Sequence, residues 1–459
     1  MITLAENNIT NRNLNNNNNK KQQTFKGGNG LNGVAKAADL FIKSQENLSS
    51  TRFIQDTITN WAPKAVFSRS TADFAEMSFL EFLESGIFYF ASPFLGEKLF
   101  RNNFKNFAPK NIREKVNEQL PKTVAEITKN TGLTDEVKKR AVSTKAGIVL
   151  ACAAIPVAEY TLSFAKNLFT LKTFKKSNFD NIANLDEKEN TTEDKKQQEL
   201  VEKHSKYQLK KAAVISAAGI AAGAVLAANG HKSDKLQALS KTILEPGKAA
   251  ASALTKAGVK SDKVKDTISK FSLDFANENG KLALSKGQLA LTAILGLFGY
   301  SKAAEDRGKR DVAEVWTRVP LVVFYTIFGS ELFEKGFGKI LEKKNKFPDL
   351  LQKNAEGKLV TPARKELPEL AKKIAATKKT DPTKELARLT KEKAFISAVP
   401  YAFSIVFMGL TLSAITRLTT QLRYNHQAKE NKKEDKTAVD TFNNFIKSTT
   451  PEIYKEFNA

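Results

Sequence analysis

The stretch AFISAVPYAFSIVFMGLTLSAIT, Ala394–Thr416, carries no charged residue from end to end. As a helix it would extend roughly 35 Å, enough to cross a hydrocarbon layer of about 30 Å. Its reading as a helix inside a membrane or a large apolar core decides the fold class, because no comparable run alternates apolar and polar residues as a sheet would require.

Five more apolar segments lie upstream: SGIFYFASPFLG from Ser85, AGIVLACAAIPVAEYTLSFA from Ala146, AAVISAAGIAAGAVLAANG from Ala212, GQLALTAILGLFGYS from Gly287 and VPLVVFYTIFGS from Val319. They are unequal. The segment from Ala212 is long but mostly alanine and glycine, the one from Ala146 contains Glu159, and the other three are shorter than a span. Between them run lysine-rich connectors such as ELPELAKKIAATKKT from Glu366, with the alanine, leucine and glutamate content and spacing of helices. The expected fold is therefore all-α and multi-helical: a membrane-embedded or membrane-associated helix bundle with long charged helical connectors.

The whole chain of 459 residues is an average of these two materials. It holds 73 Lys+Arg against 49 Asp+Glu, a formal net charge of +24, with 41% hydrophobic residues and a mean hydropathy of −0.36. That much apolar residue excludes a wholly disordered chain. A single cysteine, Cys152, excludes an internal disulfide framework.

Charge alone would also suit nucleic acid, but lysine is spread over every connector instead of gathering on one element with interleaved aromatics, which weighs against it. Attraction to a lipid bilayer or an anionic lipid surface accounts for the same charge, since lysines flanking apolar helices lie close to headgroups. If all six segments spanned, Lys and Arg would divide almost evenly between the two sides, with Arg140 and Lys145 offset by Lys210 and Lys211. That leaves no positive-inside bias and argues for fewer spans.

The organisation expected is a disordered Asn/Gly-rich tail over 1–33 with no cleavable signal peptide, and a first helical half over 34–178 with apolar helices near 79–100 and 146–170. A polar linker follows over 179–206, then an Ala/Gly-rich helix and amphipathic connector over 207–284. A second helical half covers 285–427, with apolar helices near 287–301, 312–337 and 394–416, and a charged tail with a short helix covers 428–459.

Shifting the chain by 233 positions aligns the segment from Val66 with that from Gly299. Ser68, Asp73, Glu81, Gly96, Leu99, Phe100 and Phe104 fall on Ser301, Asp306, Glu314, Gly329, Leu332, Phe333 and Phe337. A second echo pairs AIPVA from Ala154 with AVPYA from Ala398. Two internally related halves are thus expected, an arrangement that in transporters places a site between the repeats.

Candidate polar residues follow from helical spacing of about 100° per residue. Glu81 and Glu84 share one side of their helix. Glu314 and Arg318 have the spacing of an i,i+4 ion pair, and Ser397, Tyr401 and Ser404 form a third stripe. In lipid such groups need partners or a wet cavity; on soluble helices Glu81, Glu84 and Glu314 would face water. Glu159, just after Pro156, reads first as a helix-packing residue and second as part of an ion pathway.

Gly219 and Gly223 form GxxxG, a spacing for close helix packing, with self-association as a further reading. No catalytic or cofactor signature is present: the three histidines are scattered, GxSxG and GxGxxG are absent, and Ala249 follows Gly247 and Lys248 where a phosphate loop needs Ser or Thr. The function expected is that of a structural or interaction component. A transporter with two repeats lining a polar pathway and a soluble basic helical scaffold are the alternatives.

Overall fold

A computed structural model describes residues 33–46, 57–58, 61–185, 195–278, 280–353 and 359–449. The tail expected over 1–33 lies outside them except for its last residue, as do the final ten positions, where the short C-terminal helix is expected.

The described residues are helical almost throughout. The main helices are α1 (Gly33–Glu46), α2 (Thr71–Gly86, continuing as a π-helix over Ile87–Arg101), α3 (Asp135–Ala151), α4 (Ala154–Phe174) and α5 (Lys195–Asn229). After them come α6 (Lys286–Glu305), α7 (Lys309–Phe324, then a π turn Tyr325–Gly329), α8 (Ser330–Lys343), α9 (Leu367–Lys378), α10 (Pro382–Ser404, then a π segment Ile405–Thr411) and α11 (Leu412–Thr449). Among the described residues, strand is confined to two antiparallel hairpins, Ala276–Glu278 with Lys281–Ala283 and Gln352–Lys353 with Leu359–Val360.

Local chemistry sets the starts. Ser70 caps α2 by accepting from the Asp73 amide, Thr134 caps α3 through Val137, and Ser285 forms a capping box with Gln288 on α6. Gly308, at φ +123°, makes the left-handed turn between α6 and α7 that a side chain would resist. The apolar segment from Ala146 is two helices. The break falls at Cys152 and Ala153, which puts Pro156 in the first turn of α4, where no intrahelical N–H is required.

The largest apolar core gathers around α3, where Val137, Ala141, Ala146 and Ile148 meet Val116, Leu120 and Ile127 of the preceding short helices and Leu226 of α5. Helix α5 lies along both α3 and α4, α6 packs on α4, α2 packs on α4, and α7 packs on α6 and α11. Inside this core Lys145 is fully buried. It pairs with Asp274 at 2.6 Å and donates to the Lys122 carbonyl, tying the β-hairpin region to α3. Burial pushes the Asp274 carboxyl above its ordinary range despite that lysine.

Among the described residues, three helical stretches are long and apolar enough to cross a membrane: Asp135–Phe174, Lys195–Asn229 and Pro382–Glu430. They contain the three longest apolar segments of the sequence. The polar linker expected over 179–206 is in part ordered: Phe179–Ile182 is a helical turn with Phe179 buried, and residues from 195 onward are the first turns of α5. Positions 186–194 lie outside the described residues.

Candidate functional site

Among the described residues, a seam of buried ion pairs forms where α2, α4, α7 and α11 converge. Arg69, just before α2, pairs with Asp73 at 3.3 Å and reaches Glu314 on α7 at 3.0 Å. Arg307, just before α7, pairs with Asp311 at 3.3 Å and reaches Glu76 on α2 at 3.1 Å. Each arginine therefore serves its own aspartate and the other helix's glutamate.

The residues responsible read RSTADFAE from Arg69 and RGKRDVAE from Arg307, sharing Arg, Asp, Ala and Glu at identical spacing and separated by 238 residues. The two helices also pass into π geometry at Ile87 and Tyr325, again 238 residues apart.

Each glutamate is completed by a third helix. Glu76 accepts from Thr170 at 2.5 Å and has Lys166 of α4 at 3.6 Å. Glu314 accepts from Thr420 at 2.9 Å and from Arg417 of α11 at 2.7 Å, and Arg417 also reaches Asp73 at 3.2 Å. The Phe179 ring lies under both guanidinium groups, 5.2 Å from Arg69 and 5.9 Å from Arg307, a cation–π contact shared by the two motifs. Four cations (Arg69, Lys166, Arg307, Arg417) face four carboxylates (Asp73, Glu76, Asp311, Glu314), so the seam is neutral without any added ion. A buried neutral network of this kind adds little net stability but penalises any other register, because a broken pair strands a charge.

A second cluster lies further along α2. Glu81 is 3% exposed, accepts from Lys64 and has Arg318 of α7 at 3.7 Å. Glu84, half-buried, and Glu159 of α4, 3% exposed, lie near it.

These positions change the sequence-based picture in several ways. Glu81 and Glu314 do not face water; both are buried in ion pairs. Glu314 does not pair with Arg318, because Arg69, Arg417 and Thr420 occupy its carboxylate and Arg318 turns to Glu81. The 233-residue shift equates Asp73 with Asp306, yet Asp306 bonds His204 of α5 at 2.6 Å and not an arginine; the side chains follow the 238-residue register.

Ser397, Tyr401 and Ser404 stand apart from both clusters. Tyr401 meets Phe41 of α1 edge-on, Ser404 is buried and hydrogen-bonds Tyr325, and Ser397 is half-buried. Gly219 and Gly223 face α3: a Cβ on Gly223 would lie 2.4 Å from the Gly147 carbonyl oxygen, and one on Gly219 3.2 Å from that of Leu150. That spacing serves packing within the chain.

The sequence reading passed over Arg69, Glu76, Arg307, Asp311 and Arg417. The signal that reveals the first four is the repeated Arg-x3-Asp-x-Ala-Glu pattern.

Among the described residues no group of His, Cys, Asp and Glu could hold a metal ion. Compared with known proteins, the chain matches no family model, no curated sequence and no solved structure.

Proposed function

We propose that the chain is an integral helical membrane protein acting as a structural or interaction component, with two internally related halves held together by the ion-pair seam. The observation that carries the membrane reading is the outward face of the helices long enough to span. On α5, Val214 is 69% and Val225 63% exposed, with Ile215 and Ile220 beside them; along α10 and its π continuation Phe403, Val406 and Leu410 are exposed. Leu321, Phe324, Phe328 and Leu332 extend the surface over α7 and α8. Large apolar side chains exposed at this density along helices long enough to span are poorly matched to water, and lipid would satisfy them.

Charge placement supports the same reading. Helix α5 is polar up to Lys210 and Lys211 and then apolar over 212–229, a length of roughly 27 Å that fits a hydrocarbon layer with the lysines at its edge.

The reciprocal use of one motif supports two related halves, in the 238-residue register. It also favours a rigid scaffold over a transporter: Glu81, Glu314 and Arg318, the residues a pathway would need free, are engaged with Lys64, Arg69, Arg417 and each other.

Alkaline carbonate extraction of the membrane fraction tests the proposal. The chain should stay in the pellet; release into the supernatant would favour the soluble basic scaffold instead.

A further inference from the structure

Helix α11 uses one face and leaves the other bare. On the inner face Arg417 and Thr420 bond Glu314, the Tyr424 ring lies 4.7 Å from the Arg310 guanidinium, and Gln427 accepts from Arg310 at 3.0 Å. At about 100° per residue these positions share one side, and Ile415, Leu418, Leu422 and Asn425 fall on the opposite one. Ile415 is 48%, Leu418 64% and Leu422 66% exposed. Asn425 is exposed as well and accepts from Gln421 at 3.2 Å. Lys429 is next on that side, so the stripe runs for roughly 15 Å.

The corresponding helix of the first half is covered. Helix α4 completes Glu76 through Lys166 and Thr170, and α5 lies along it, with His204 edge-on to Phe164. Helix α11 completes Glu314 in the same way. Apart from the π segment leading into it, its one extensive neighbour among the described helices is α7. Lipid does not account for the stripe, because the charge-free run Ala394–Thr416 already fills a hydrocarbon layer and Leu418 and Leu422 lie past its end.

The spacing of three, four and three residues is that of a coiled-coil seam, in which one asparagine among apolar residues fixes the register. Both arginines of this stretch point elsewhere, Arg417 to Glu314 and Asp73 and Arg423 to Thr317. The flanking positions are Thr419 and His426 on one side and Gln421 and Ala428 on the other, with no Lys, Arg, Asp or Glu among them. On a chain with a formal net charge of +24, whose copies repel over most of their surface, such a stripe is where two copies can meet.

We propose that the outer stripe of α11 is the contact face of a homodimer. Two copies of the helix lie side by side and parallel about a two-fold axis, Leu418 on Leu418 and Leu422 on Leu422. The inference goes beyond the membrane reading and stands without it, since in water the same leucines would be covered in the same way.

Single cysteines in a Cys152→Ser full chain test this. Leu418→Cys and Val225→Cys occupy almost equally exposed positions, but only the first lies on the stripe. After reconstitution into bilayers, oxidation by copper phenanthroline should link Leu418→Cys chains into dimers and leave Val225→Cys chains largely single. Adding Leu422→Glu, a change at an exposed position that the fold does not need, should abolish the Leu418→Cys dimer. No dimer at Leu418→Cys, equal yields at the two cysteines, or a yield untouched by Leu422→Glu overturns the proposal. Should carbonate release the chain, the same oxidation of the soluble protein decides, with the same expected and overturning results, so failure of the membrane reading remains a separate outcome.

Discussion

Arg307 donates to Glu76 at 3.1 Å, joining residues 231 positions apart, and Arg69 and Glu314 repeat the arrangement with the roles of the two helices exchanged. The exchange locks the start of α2 to the start of α7. Neither helix can slide by a turn without stranding a charge in the protein interior.

Breaking one exchange should therefore be costly. Arg307→Ala leaves Glu76 with Lys166 and Thr170 only, and should destabilise the fold by about 3–5 kcal/mol. Glu76→Ala in the same background should cost much less than it does alone, since the stranded partner is gone. A double-mutant cycle on denaturant unfolding measures the coupling; additive effects would mean that the pair does not act as a unit.

Phe179 serves both arginines with one ring, so it should matter more than an ordinary core phenylalanine. Phe179→Leu retains most of the buried volume but removes the π face. It should still cost about 1–2 kcal/mol in thermal or denaturant unfolding, and less than this in an Arg69→Gln, Arg307→Gln background. An unchanged cost in that background would leave packing alone as the explanation.

Contact between α3 and α5 predicts an order among glycine substitutions. Gly223→Ala puts a methyl group against a backbone oxygen that cannot yield, and should cost about 1–3 kcal/mol. Gly219→Ala, with 3.2 Å available, should cost less. Both should leave the oligomeric state unchanged, which size-exclusion chromatography with light scattering checks; a shift to monomer would assign the GxxxG to self-association.

A pH dependence resides at Asp349, on the loop before α9. Partial burial raises its carboxyl, but hydrogen bonds from Arg388 at 2.7 Å and Lys378 at 3.1 Å outweigh that and hold it below its ordinary 3.8. A depressed carboxylate contributes stability that is complete above its ordinary value and lost as pH falls through the folded one. Wild type should therefore unfold at a higher temperature than Asp349→Asn at neutral pH, by an amount worth at most about 1 kcal/mol because the site is partly solvated. The two should converge as pH falls below 3.8 and through the folded value; a gap that persists once the carboxyl is protonated would rule out this origin.

Much of the architecture was legible in the sequence because it is local. The charge-free run Ala394–Thr416, the alanine-rich run from Ala212 and the run containing Glu159 mark the three helical stretches long and apolar enough to span, although the break at Cys152 and Ala153 was not expected. Capping residues such as Ser285 with Gln288 mark a start. The partners of the glutamates were not legible. Whether Glu314 binds Arg318 one turn away or Arg69 from the other end of the chain is settled by how α2, α7 and α11 meet, which no local pattern encodes. The 233-residue shift was drawn to aromatic identities such as Phe100 with Phe333, whereas the reciprocal pairs rest on four residues per motif at a shift of 238. Phe179 was hidden for a related reason: it opens a stretch so polar that its composition reads as linker.

As an integral membrane protein the chain would set the apolar outer face of α5, α7 and α10 against lipid. Nitroxide labels placed singly at Val214, Ile220, Val225, Phe324 and Leu410, in a Cys152→Ser chain reconstituted into bilayers, measure this directly through collisions with oxygen and with a water-soluble nickel complex. Oxygen should dominate at all five positions, with the nickel complex excluded most strongly toward the middle of α5. Free access of the nickel complex at these sites would mean that the face lies in water and not in lipid.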